Sequence, residues 1–180
     1  MAARVLAADA AAYVESFPPR LTEGCRVLVL GSMPGVRSLQ LQQYYGHPQN
    51  RFWPFMQALC GVSADAEYES RIAALNRAGI GVWDVLKACE RPGSLDSAIA
   101  RDSEVPNDIG GLLAQHPSIR ALAFNGGKAW QYFRRRVLPD LAPDAVARVA
   151  LCPMPSTSPL NKTKPDAERR GRWLALKEWL

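Results

Sequence analysis

Residues 26–56 read RVLVLGSMPGVRSLQLQQYYGHPQNRFWPFM. The opening run, RVLVLGS (26–32), is nearly continuous Val and Leu, the pattern of a strand covered on both faces. Three more runs share its character: GIGVWDVL (79–86), RALAFNG (120–126) and RVALCPM (148–154). Helical patterns lie between them at 51–60, 67–77, 108–115 and 127–136, with Asn107 as an expected N-cap for the third. Strands alternating with helices predict a three-layer α/β/α fold around a central four-stranded parallel sheet. The expected organisation is one domain over residues 1–180, with no repeat, low-complexity tract or linker.

The chain closes with DAERRGRWLALKEWL, where Trp173, Leu176 and Leu180 share one helical face and are expected to pack rather than bind a ligand. Of its residues 22% are charged, ordinary for a globular protein, and no apolar run approaches the roughly 20 residues of a membrane-spanning helix. Arg4, Asp9 and Glu15 interrupt the Ala-rich MAARVLAADAAAYVESF too often for a signal peptide, so a cytoplasmic address is expected. Cys25, Cys60, Cys89 and Cys152 are scattered, with no C-x-x-C, which argues for buried free thiols rather than a zinc site or disulfide framework.

Charge is distributed unevenly. Residues 1–114 carry 10 Lys/Arg against 12 Asp/Glu, a net of −2, whereas residues 115–180 carry 12 against 5, a net of +7. A one-sided positive field suits a polyanion such as nucleic acid, although a solvated basic helix has the same composition.

In parallel α/β sheets, ligands bind beyond the carboxyl ends of the strands. Four segments therefore belong together: Ser32–Gly35, Asp84–Leu86, Asn125–Gly127 and Pro153–Asn161. GSMPG (31–35) lacks the spacing of a P-loop or dinucleotide motif. It offers a rigid turn whose backbone can approach a ligand or serve structure alone. In YYGHPQN (44–50), Tyr45 can stack on a base. Asn50 is either a helix N-cap or a water-orienting amide. The loop PMPSTSPLNK (153–162) places Ser156, Thr157 and Ser158 among prolines, then Leu160, Asn161 and Lys162. Small hydroxyls, Asn and Lys suit phosphate contacts, and Leu160 suits a wedge into stacked bases, although a plain surface Ser-Thr-Pro loop has the same composition. HPS at 116–118 precedes the third strand and so belongs at the wrong end of the sheet, which excludes His116.

Taken together, these motifs resemble the uracil-DNA glycosylase superfamily. GSMPG followed by HPQNRFW is similar to the first motif of its mismatch-specific branch, G-x-N-P-G with a P-x-N-R-F-W ending. PSTSPLN (155–161) resembles the second motif. Met33 departs from that branch, which has its water-positioning Asn in the first turn. With GVWDVL, RPGSLDSAI and AFNGGKA, the chain is most similar to the hypoxanthine (deoxyinosine) DNA glycosylase family, over roughly residues 24–162.

That resemblance implies a hydrolase that frees hypoxanthine from deoxyinosine in DNA; the expected chemistry is monofunctional, by a monomer without metal or cofactor. It places the catalytic, water-orienting amide at Asn50. Tyr45 would stack on the flipped base, the backbone at Ser32 and Met33 would read its edge, and Asn125 and Asp84 would help hold it. Ser156, Thr157, Ser158, Leu160, Asn161 and Lys162 would contact DNA. Two alternatives stay open: another deaminated base such as uracil or mismatched thymine, and a non-catalytic nucleic-acid-binding module.

Overall fold

The computed structural model describes residues 12–180, so most of the Ala-rich segment weighed above as a signal peptide lies outside the described residues. The four apolar runs form the expected parallel sheet. Its strands are β2 (Val27–Gly31), β3 (Ile80–Asp84), β6 (Ala121–Asn125) and β7 (Ala150–Met154), in the order β3-β2-β6-β7. Every residue of β2 and β3 is buried, as a sheet covered on both faces requires.

From β2 the chain runs outward to β3, then crosses back over β2 to β6 and continues to β7. Right-handed crossovers put the helices of these two directions on opposite faces. On the first path lie α1 (Val36–Leu41), α2 (Phe52–Cys60) and α3 (Tyr68–Arg77). On the second lie α4 (Ile109–Gln115), α5 (Gly127–Arg136) and α6 (Pro143–Ala147). α7 (Asp166–Leu174) then packs against α2 and β7. Trp173 and Leu176 are buried as expected, with Trp173 meeting Phe52 edge-on. Between β2 and β6, where the two paths diverge, the parallel sheet opens its ligand crevice.

The structure corrects three expectations. GVWDVL is not one strand. β3 stops at Asp84, and β4 (Leu86–Glu90) turns away into a second, antiparallel sheet with β1 (Tyr13–Glu15) and β5 (Val105–Pro106). Asn107 holds that corner: its side-chain amide donates to the Asp84 carbonyl at 2.9 Å, and its backbone N–H to the Val85 carbonyl at 2.9 Å. Asn107 is thus not the cap of α4; Asp108 is, accepting from the Gly111 N–H at 2.8 Å. The four cysteines are free, but only Cys25 and Cys89 are buried, while Cys60 and Cys152 are half-exposed.

Much of the C-terminal positive charge also has internal work. Arg135 and Arg136 pair with the buried Glu104, and Arg148 donates to the carbonyls of Leu113, Pro117 and Ile119. The +7 of the last third therefore overstates what faces outward.

Candidate active site

A cavity of about 480 Å³ opens at the switch point. Ser32, Met33, Tyr45, Asn50, Asp84, Asn125, Ser156, Thr157, Ser158, Leu160 and Lys162, all singled out from the sequence, line it. Asn161 alone of that set does not. Its amide donates to the Ser156 carbonyl and its Oδ1 accepts from Thr163, so it shapes the loop. His116, discarded from the sequence, is absent from the lining.

The rim is formed by the segment 155–162 after β7. Asn125 at the end of β6 fixes it: Asn125 Nδ2 donates to Thr157 Oγ1 and Asn125 Oδ1 accepts from the Thr157 N–H, both at 2.9 Å. Both ends of that amide are engaged, and Thr157 is fully buried. These two residues, expected on the base and on phosphate, line the cavity and hold each other.

From the other side, the Arg51 N–H donates to the Thr157 carbonyl at 2.9 Å, and the Arg51 guanidinium grips Asp166 in bidentate fashion. Arg169 bridges Asp166 to the Ser156 carbonyl, and Trp173 donates its indole N–H to the Pro155 carbonyl. The loop is thereby preset, with Leu160 standing out at its tip, 65% exposed, beside the exposed Lys162.

Asn50 sits at the start of α2. Arg51 holds the N-cap position, but Asn50 Oδ1 accepts from the Phe52 N–H at 2.9 Å and so ties down the first residue of α2 while Asn50 lines the cavity. A second lone pair and the amide Nδ2 stay available to a water. Tyr45 takes a left-handed backbone, φ +55°, an uncommon conformation for a bulky residue that holds its ring in place. One face of that ring stacks on Phe52, with centroids 3.9 Å apart and planes 21° apart. Only the other face is left for a base.

The floor lies under Gly31. A Cβ there would fall 2.5 Å from Asp84 Oδ1 and 3.5 Å from the Tyr45 hydroxyl, so those two groups converge on a point that only glycine leaves open. Both Asp84 Oδ2 and the Tyr45 hydroxyl are buried without a hydrogen-bond partner among the described residues. Burial, reinforced by the nearby Asp96 carboxylate, pushes the Asp84 carboxyl up to about 8. Burial likewise raises the Tyr45 hydroxyl far above its ordinary value, with Asp84 adding to the effect and the nearby Asn125 side chain opposing it.

Sequence reasoning passed over the support of this floor. Ser32 donates its hydroxyl to Asp96, and the Ser32 carbonyl already accepts from the Leu86 N–H. Arg91, almost wholly buried, donates to the carbonyls of Pro34 and Gly93 and lies 3.6 Å from Asp96. Ser94 accepts from the Val36 N–H at 2.8 Å. All three residues belong to RPGSLDS, whose signal was a run of Pro, Gly and Ser around two opposite charges. Met33 is 6% exposed and packs into the core as well as touching the cavity.

Among the described residues, no group of three or more His, Cys, Asp or Glu side chains is placed to share a metal ion, and no helix is long and apolar enough to cross a membrane.

The chain is 44% identical over 117 residues to a hypoxanthine DNA glycosylase of Methanosarcina acetivorans, an overlap of 64% of this chain and 73% of that one. It is 40% identical over 119 residues to the protein of the same name from Methanosarcina barkeri, covering 66% and 74%. A solution NMR structure from Methanosarcina acetivorans, described as a candidate uracil DNA glycosylase, superposes with a TM-score of 0.76 at 33% identity, covering 92% of this chain and 97% of that one. The family description of the uracil DNA glycosylase superfamily matches residues 18–178. With that match spanning nearly the whole chain, and with its two motifs meeting at one cavity, the protein belongs to the uracil DNA glycosylase superfamily.

Proposed function

We propose that the protein is a DNA glycosylase that extrudes deoxyinosine from DNA and hydrolyses its N-glycosidic bond, releasing hypoxanthine and leaving an abasic site. The observation that carries this reading is the identity, 44% and 40%, to two proteins named hypoxanthine DNA glycosylase. The cavity supports it: a half-covered aromatic ring, an amide at the entrance and a polar floor suit a planar base attacked by water.

In this reading the open face of Tyr45 stacks on the base. Asn50 aims a water at C1′, its carbonyl already fixed by Phe52 so that little ordering remains for the reaction itself. Leu160 enters the stack where the base has left it, and Lys162 with Ser156 and Ser158 meets the backbone. Bond breaking develops positive charge at C1′ and negative charge on the base, which fixed dipoles can stabilise without a metal.

A second reading, uracil as the preferred base, draws support from the description of the solved Methanosarcina acetivorans relative. One experiment separates them. Oligonucleotides carrying inosine, uracil, xanthine or a G·T pair are incubated with the protein and then cleaved with alkali. Strand breaks appear fastest at inosine. Faster breakage at uracil replaces the first reading with the second, and no breakage at any of the four leaves a binding module.

A further inference from the structure

The floor of the cavity holds unspent hydrogen-bonding capacity. Asn125 is committed to Thr157, the Ser32 hydroxyl to Asp96, and the Pro34 carbonyl to Arg91. Asp84 Oδ2 and the Tyr45 hydroxyl, by contrast, are sealed from solvent without a hydrogen-bond partner among the described residues, and the same carboxyl, through Oδ1, meets that hydroxyl at one point above Gly31. Buried polar atoms without partners are costly, and two groups that carry them, converging on a ligand-sized space, mark where a ligand's polar edge belongs.

We propose that Asp84 is a catalytic residue, the hydrogen-bond donor to the departing base, with the Tyr45 hydroxyl as the second group of the same floor. This deepens the proposed glycosylase function and rests on it.

The chemistry balances without a further reactant. The C1′–N bond breaks and its electron pair stays on the base. The hydrogen of the Asp84 carboxyl is shared with an acceptor of the base, O6 or N7 of hypoxanthine, as negative charge builds there. Water oxygen bonds to C1′, and the proton it sheds ends on the base or restores the Asp84 carboxyl. A donor fixed in a dry site acts only on the charge that develops, which is what lowers the barrier.

Asp84 can carry that hydrogen at neutral pH because of its surroundings. From the segment after β4 it faces the Asp96 carboxylate, which favours the neutral form, and the Arg91 guanidinium, which opposes it. From the loop before α2 it faces the hydroxyls of Tyr44 and Tyr45, neither of which ionises at neutral pH. With its titration near 8, roughly nine in ten molecules hold the acid form at pH 7. The arrangement separates roles between two carboxyls: Asp96, bonded by Ser32 and near Arg91, supports the turn, while Asp84 keeps its hydrogen for the ligand.

The test compares wild type with Asp84→Asn, which keeps a donor that does not titrate, and Asp84→Ala, which keeps none. Single-turnover excision is followed on inosine and on uracil duplexes. The ratio of wild-type to Asp84→Asn rates cancels any titration of the base itself, and falls roughly tenfold between about pH 7 and about pH 9 as the acid form is lost. Asp84→Ala is slower than wild type by about 10²-fold at neutral pH.

Thermal unfolding supplies the independent readout. The folded carboxyl holds its hydrogen to higher pH than the unfolded chain does. Its contribution to stability is therefore fully present below about pH 4 and lost as pH rises through about 8. Asp84→Asn gains thermal stability relative to wild type across that window. A ratio that does not change with pH, or Asp84→Ala excising at the wild-type rate, overturns the proposal. Faster excision of uracil by the wild type would instead revise the base, leaving the ratio to judge Asp84 on uracil. A wild type that excises neither removes both.

Discussion

The floor and the rim of the cavity are built on opposite rules. On the rim, polar groups of the segment 155–161 are satisfied from within: Thr157 by Asn125 and Arg51, Ser156 by Arg169 and Asn161, Pro155 by Trp173. On the floor, Asp84 and Tyr45 are buried and left unbonded. A satisfied loop is rigid and presents what faces outward from it, foremost Leu160 and Lys162. An unsatisfied floor is poised toward whatever enters. Under the proposed function, one region would fix where DNA lies, and the other would recognise what is drawn from it.

Four substitutions break or sharpen this division. The largest effect is expected at the entrance between the two regions. Asn50→Ala lowers single-turnover excision by about 10²-fold or more, as loss of a transition-state dipole does, while DNA affinity holds within a few-fold. Excision near the wild-type rate would leave Asn50 only its bond to the Phe52 N–H.

Asn125→Ala strips two hydrogen bonds from the buried Thr157. Stability drops by about 2 kcal/mol, read in thermal or denaturant unfolding, and duplex affinity weakens with it as the rim loosens. Slower excision with unchanged stability would mean that Asn125 reads the base, and the floor would then extend to β6.

Leu160→Ala removes the exposed tip without touching the loop's bonds. About 1 kcal/mol, roughly a fivefold loss in affinity for duplex, follows from partial burial of the missing carbons. Single-stranded substrate, which has no stack to enter, should be spared. Equal losses on both would remove the wedge.

The smallest change is expected at Lys162. Lys162→Ala makes the dependence of log affinity on log salt shallower by about one unit, with base preference intact. An unchanged slope would leave Lys162 a solvated charge.

Cavity residues were readable from sequence because they follow strand ends, and a parallel sheet collects its strand ends at one edge. GSMPG, YYGHPQN and PSTSPLN each announced a special backbone, and all three meet. What escaped was support across long separations. Arg51 and Asp166 stand 115 residues apart, and nothing local to either marks the other. Arg91 carries the signature of a surface cation, yet lies buried beneath the first turn. The second sheet escaped because its strands are two to five residues long and β4 continues an apolar run that looked like one strand with β3. The division of labour between Asn125 and Thr157 was equally hidden: an Asn and a Thr beside a pocket have the same composition whether they face a ligand or each other.

The clamp from α7 to the rim gives the molecule an order of failure. Asp166, Arg169 and Trp173, all on one helix near the chain's end, hold a loop that lies beside the cavity. Elements outside the central sheet can open in local fluctuations, at free energies below that of global unfolding. Each such opening would release the loop while the parallel sheet, knit from the middle of the chain, stays folded. On warming, grip on DNA would thus fade before the fold does, and slowed hydrogen exchange at the Trp173 indole on adding DNA would record the same linkage from the other side.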